Sequence, residues 1–240
     1  MNTDYTVWDN DTFVQKLQDV GMARYHNLHP FHAYMNSGAL TPDQVRGWVA
    51  NRFAYQCVIP LKDAAILSNC PVREVRRIWL HRITDHDGIK AGEGGIENWL
   101  KLAEAVGLTR DEVMDDSHIL PGVRFAVDAY LNFCRSNPWP IAIASSLTEL
   151  FAPDLMRERL LAFETYYTWV KPWGMDYFRS RLTQAPTDSD QGLALTLEHC
   201  NTRALQEDAI KALAFKCELL WAMLDAMLLA YGAGEQGINY

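Results

Sequence analysis

TPDQVRGWVANRFAYQCVI, residues 41–59, decides the fold class. Thr41 is an N-cap residue, and Pro42 after it lacks an N–H just where the first helical turn needs none. Behind that start signal, Val45, Trp48, Val49, Tyr55 and Ile59 recur at the spacing of one helix face. Pro60 is expected to kink or interrupt the helix beyond this stretch.

The same grammar runs outward through the chain. Asn69-Cys70-Pro71 opens a helix expected over PVREVRRIWLHRITDHD, and four glycines between Gly88 and Gly95 mark a loop. IENWLKLAEAVG is amphipathic, and Thr109-x-x-Glu112 is a capping box. VRFAVDAYLNFCR, IAIASSLTELFA and PDLMRERLLAFETYY read as further helices, with breaks near Pro138–Pro140 and at Pro153. Asp188 to His199 gives another, and Thr202 to about Tyr231 gives the longest, with a tail expected over residues 232–240. No β-type alternation of useful length, repeat or low-complexity linker interrupts this series. The expectation is one all-α domain over residues 1–240.

Composition narrows the function classes. The chain has 240 residues, a net charge of −8 and a pI near 5.3, which argue against a general nucleic-acid binder, a class that shows a basic face. No stretch approaches the ~20 apolar residues of a membrane span, and MNTDYTVWDNDTF is not a secretory signal, so a cytoplasmic protein is expected. Cys57, Cys70, Cys134, Cys200 and Cys217 are scattered and form no C-x-x-C pair, which leaves reduced thiols as the default.

Polar residues on the apolar rows carry the functional signal. Val72, Val75 and Trp79 lead onward to Arg82 and His86, while Arg52 and Gln56 sit among Trp48, Tyr55 and Ile59. Arg159 shares a face with Leu155, Met156 and Phe163, Tyr177 and Arg181 stand one turn apart, and Lys216 lies among Leu213, Leu220 and Met223. A buried cation needs an anionic partner. Internal acids such as Asp63, Glu149 or Asp225 are one source. A planar ligand with several carboxylates is the other, because guanidinium groups grip carboxylates in bidentate fashion.

RYHNLHPFH, GWVANRFAYQ, IPLKDAAI, RITDHDG, GGIENWLKLAEAVGL, LPGVRFAVDAYLNF, SSLTELFAP, YFRSRLTQA and FKCELLWAMLDAM, in this order, resemble the pyrroloquinoline-quinone (PQQ) synthase family from about Phe13 to Tyr231. The resemblance implies a heme-oxygenase-like, TENA-type helical bundle acting as a homodimer. It implies the last step of PQQ biosynthesis, in which the precursor AHQQ is cyclised and oxidised by molecular oxygen with release of hydrogen peroxide. It implies no metal or flavin, with the product able to stay bound. Carried over by motif, His86 is the principal acid or base, Tyr177, Arg181 and Lys216 join it, and Tyr25, His26, Arg52, Gln56, Lys62, Arg82, Tyr130, Thr148, Glu149 and Arg159 contact the substrate. Leu28 and Met156 stand where many members have histidine, and both replacements are expected to remove polar groups near the pocket.

Other chemistries find less support in the residues. A di-iron bundle needs Glu-x-x-His pairs, and the nearest approach is Asp115-x-x-His118. A thiol hydrolase would need Cys134 as nucleophile, yet Cys134 continues the apolar row of Val123, Val127 and Tyr130. A carrier that holds PQQ without turnover would use the same cations. In RYHNLHPFH, Pro30 at the expected first helical position leaves His26 and His29 before the helix and His32 inside it, so the triplet is not read as a metal site. His26 becomes a ligand contact and His29 a helix-start hydrogen bonder, with His32 unassigned.

Overall fold

The computed structural model describes residues 6–232, and these form helices and turns without a strand. In chain order the α-helices are α1 (Asn10–Arg24), α2 (Pro30–Asn36), α3 (Pro42–Asn69), α4 (Arg73–Trp79), α5 (His81–Asp87), α6 (Gly95–Ala105), α7 (Arg110–Met114), α8 (Pro121–Ser136), α9 (Trp139–Ala144), α10 (Ala152–Tyr166), α11 (Asp176–His199) and α12 (Arg203–Tyr231). Short 3-10 turns cover His26–Leu28, Asp116–His118, Ser145–Phe151 and Pro172–Met175. The tail expected beyond Gly232 lies outside the described residues.

The start signals act as read. Thr41 and Thr109 both close reciprocal capping boxes, with Gln44 and Glu112, and Pro30 opens α2. Thr202 caps α12, whose apolar stripe is buried through Leu213, Leu220 and Leu224. Four boundaries differ from the sequence reading. Helix α3 continues through Pro60, so of the kink or interruption expected there the interruption does not occur; packing of α3 against α8, α5 and α6 outweighs one lost hydrogen bond. PVREVRRIWLHRITDHD is divided at Leu80 into α4 and α5. SSLTELF forms a 3-10 turn instead of continuing an α-helix. YFRSRL and Asp188–His199 belong to one helix, α11.

The core includes a cluster of aromatic side chains from α3, α6, α10 and α11. Trp48 and Trp99 meet edge to face at 5.3 Å, with Phe163 and Phe178 against them. Each such fully buried aromatic side chain is worth roughly 2–3 kcal/mol by area. Polar ties fix the frame: Trp99 Nε1 donates to the Val49 carbonyl at 2.9 Å, and Trp79 Nε1 donates to Asp63 at 2.8 Å. Asn51 is fully buried and joins three elements, donating to the Tyr231 hydroxyl at 2.6 Å and accepting from the Leu120 amide at 2.8 Å. The long helices α3 and α12, which carry Arg52, Lys62 and Lys216, are thereby held in register.

Candidate functional site

Helix α5 places His86. Gly88, at φ 79°, ends this helix in a conformation that L side chains avoid, and Gly94 at φ 94° packs against its end. A Cβ on Gly94 would come within 2.6 Å of the His86 carbonyl oxygen, so the glycine loop clamps the last turn of α5 by backbone contact. His86 is 4% exposed, and its Nδ1 lies 3.1 Å from the Arg82 carbonyl. A carbonyl only accepts, so Nδ1 carries the hydrogen and Nε2 keeps its lone pair. Burial, helped by the Arg181 charge, lowers the ring pKa to about 4. His86 is therefore a neutral imidazole with a bare Nε2, the state a general base requires.

His86 lines an internal cavity together with Tyr25, His26, Arg52, Thr148, Glu149, Tyr177 and Arg181, closed by Tyr55, Ile59, Leu155, Met156 and Leu220. Eight of the fourteen residues expected from sequence thus meet at one cavity. Gln56, Lys62, Arg82, Tyr130, Arg159 and Lys216 are not among the lining residues and pack behind them. Tyr177, for example, donates its hydroxyl hydrogen to Gln56 Oε1 at 2.9 Å.

The inward cations divide into two groups. Asp63 pairs with Lys62 at 2.6 Å and faces Arg82 at 3.7 Å. Glu149 is hydrogen-bonded to Arg82, and Asp188 binds Arg181 at 3.2 Å and Arg82 at 3.5 Å. These three arginine and lysine side chains are answered internally, as the salt-bridge reading expected for Asp63 and Glu149. Asp225, the third of the internal acids, binds His29. By contrast, no carboxylate oxygen among the described residues lies within 4.0 Å of Arg52, Arg159 or Lys216. Arg52 stacks on Tyr55 at 3.9 Å, and Lys216 Nζ sits between the Tyr130 and Tyr55 rings at 3.2 and 4.2 Å without a hydrogen-bond partner. Burial and the neighbouring Lys62 and Arg52 charges hold the Lys216 ammonium well below its ordinary pKa. An anion is what this group of three lacks.

The histidine triplet divides into His29 on one side and the pair His26 and His32, 3.0 Å apart, on the other. His29 Nδ1 accepts from the Phe31 amide at 3.0 Å and so caps α2. His26 reaches the cavity, and His32, which no sequence signal placed, lies 3.0 Å behind it and touches Arg159. Leu28 is 54% exposed and outside the cavity, because the 3-10 turn points it at solvent; the expected loss of a pocket polar group there does not hold. Met156 does line the cavity.

Sequence reasoning missed Asp188 and His81. Asp188 is 2% exposed, and the only signal for it was its position two turns beyond Arg181 on what proved to be the same helix. His81, Asp85 and Asp188 bring potential ligand atoms within 4.8 Å of one another. Asp188 is already committed to Arg82 and Arg181, whose charges oppose a metal ion there. Cys134 is fully buried, and burial raises its thiol pKa, which is the opposite of what a nucleophile needs.

The TENA/THI-4/PQQC family pattern matches residues 14–226. The chain is 55% identical over 223 residues to pyrroloquinoline-quinone synthase from Pseudomonas aeruginosa, covering 93% of this chain and 89% of that one. It is 57% identical over 219 residues to the enzyme of that name from Ectopseudomonas mendocina, covering 91% and 87%. Among solved structures, a domain with a heme oxygenase-like fold from Shewanella denitrificans superposes with a TM-score of 0.75 at 14% identity, over 96% of this chain and 99% of that one. The TenA homologue from P. horikoshii superposes with a TM-score of 0.68 at 13% identity, over 89% and 99%. The chain belongs to the TENA/THI-4/PQQC family.

Proposed function

We infer that this protein is an oxidoreductase completing PQQ biosynthesis: it closes the last ring of AHQQ and oxidises the product with molecular oxygen, releasing hydrogen peroxide. The observation that carries the chemistry is the bare Nε2 of His86 at a cavity where Arg52, and behind it Arg159 and Lys216, lack carboxylate partners. The substrate's carboxylates supply the missing anions for Arg52 and Lys216. Its amine adds to a quinone carbonyl carbon and water leaves. His86 Nε2 then takes a proton from a ring carbon, which leaves the electron pair in the ring system as an electron-rich quinol. Each pair of electrons passed to oxygen, with two protons, yields one hydrogen peroxide. Tyr177 and Arg181, beside His86, stabilise the reduced oxygen species by hydrogen bonding and charge.

The substrate carries its own electron-accepting system, so the protein supplies position, charge and proton transfer, with no resident metal or flavin. The cavity has about 60 Å³ of free space. Ligand sites usually offer roughly 300 Å³ or more, so its walls separate on binding. A homodimer acting in the cytoplasm fits the exposed apolar side chains Met22, Phe125 and Leu161 and the acidic surface.

Oxygen uptake and the PQQ absorption spectrum, measured with authentic AHQQ before and after chelation, test this reading. Turnover by the wild type, unchanged by chelator and lost in His86→Ala, is expected. PQQ formation no faster than in buffer would leave a carrier in place of an enzyme, and loss of turnover on chelation would restore the metal reading.

A further inference from the structure

His32 is a buried histidine to which the reaction gives no task. It is 1% exposed, stands in the first turn of α2 and does not line the cavity. Its Nε2 is 3.0 Å from His26 Nδ1, and its ring centroid is 4.8 Å from that of His26 in an edge contact. On its far side Arg159 Nη2 lies 3.1 Å from His32 Nδ1 and 3.4 Å from Nε2.

The donors and acceptors in this chain admit one neutral arrangement that satisfies the shorter contacts. A guanidinium only donates, so His32 Nδ1 presents its lone pair to Arg159. The hydrogen of neutral His32 is then on Nε2 and is donated to His26 Nδ1. That nitrogen is bare in turn, and the hydrogen of His26 is on Nε2. A proton added to His32 would place an N–H against the guanidinium, and one added to His26 would place two N–H groups face to face. Burial and the Arg159 and Arg52 charges likewise hold both rings far below the ordinary histidine pKa. Tyr25 packs edge-on against His26 at 4.5 Å and restrains the ring on its other side.

We propose that His32 is a positioning residue that relays the polarity of Arg159 to His26 and holds His26 as a neutral Nε2–H donor to an anionic oxygen of the bound ligand. The cavity histidines then have opposite duties fixed by opposite partners. The Arg82 carbonyl makes His86 a bare acceptor, and Arg159, through His32, makes His26 a donor that cannot serve as a base. Arg159 does not line the cavity, and its hydrogen bonds go to His32. The identity of the ligand rests on the proposed reaction; the tautomer assignment does not.

The tautomers are read in the free, full-length protein labelled with 15N-histidine, by long-range 1H–15N correlation of the ring nitrogens. His32→Gln and His26→Gln identify the signals. Nε2–H on both rings, bare Nδ1 on both, and no titration across roughly pH 5–8 are expected. A bare Nε2 on His26, or a cationic ring, overturns the proposal. PQQ is then titrated onto His32→Gln, whose amide N–H replaces the donor, and onto His32→Leu, which has none. His32→Leu binds about tenfold more weakly with a raised KM and a smaller change in kcat, and His32→Gln stays within about twofold of wild type. Unchanged affinity in His32→Leu, or equal losses in both variants at wild-type Tm, also overturns it. If the wild type binds no PQQ, the proposed reaction fails while the spectra still decide the relay.

Discussion

The Arg82 carbonyl accepts the Nδ1 hydrogen of His86 across 3.1 Å, so the backbone of the helix that carries the base also chooses its tautomer. With the ring pKa lowered to about 4, His86 stays unprotonated throughout the neutral range. The acid limb of kcat/KM for AHQQ is expected near that value, with a level profile from about pH 5 to 8. His86→Ala lowers the chemical step by about 10²–10⁴-fold, measured in single turnover to exclude product release. A limb at the ordinary histidine pKa would show that the base is another group or that the cavity is wet.

Lys216 Nζ has two aromatic faces and no acceptor. The charges around it come from Lys62 and Arg52 on α3 and Glu149 in the 3-10 turn, with the ionisable Tyr55 of α3, Tyr130 and Cys134 of α8 also facing it. In the free protein, burial and the Lys62 and Arg52 charges push the amine toward its neutral form. Binding of an anionic ligand favours the charged form, so PQQ binding is accompanied by proton uptake at pH 8. Calorimetry in buffers of different ionisation enthalpy measures this uptake. Lys216→Met binds more weakly and without it; uptake that persists in Lys216→Met assigns the proton elsewhere.

Asp63 Oδ1 serves Lys62 at 2.6 Å and Trp79 Nε1 at 2.8 Å, with Arg82 at 3.7 Å. Asp63→Ala leaves two buried cations short of their partner, at a cost of about 3–5 kcal/mol. Urea unfolding is expected to show that loss with an unchanged m-value. A loss below about 1 kcal/mol would mean that water replaces the carboxylate.

Sequence disclosed the helices wherever a start signal stood on local chemistry, as at Thr41, Thr109 and Thr202. It left open whether Pro60 kinks or interrupts α3, because the packing that carries the helix through the proline comes from α5 and α8, which are remote in sequence. The cations were legible as charges on apolar rows, since a helix face is a local property. Which of them have partners was not legible, because Asp188 meets Arg82 across more than a hundred residues. The same limit hid His32, whose neighbour Arg159 is 127 residues away. Leu28 misled for the opposite reason: one 3-10 turn reversed the direction that its motif position suggested.

His26, His32 and His86 are all buried and neutral, with pKa values pushed down by burial and by nearby arginines. In the unfolded chain each regains a pKa near 6.5. Below that value the unfolded state binds protons that the folded state refuses, so stability falls as pH falls, and the loss for His86 continues to about pH 4. That ring alone accounts for on the order of 3 kcal/mol across the window. Burial raises the Asp188 carboxyl, which works in the opposite sense, since its folded form holds a proton longer than its unfolded form. Comparison of wild type with His86→Gln removes that contribution, because Asp188 is present in both. Urea unfolding at pH 7.5, 6 and 5 is expected to show wild type losing stability more steeply than the variant, by up to about 1.4 kcal/mol per pH unit below 6.5. Parallel pH dependences would mean that His86 is protonated in the folded protein, and the base assignment would fall with it.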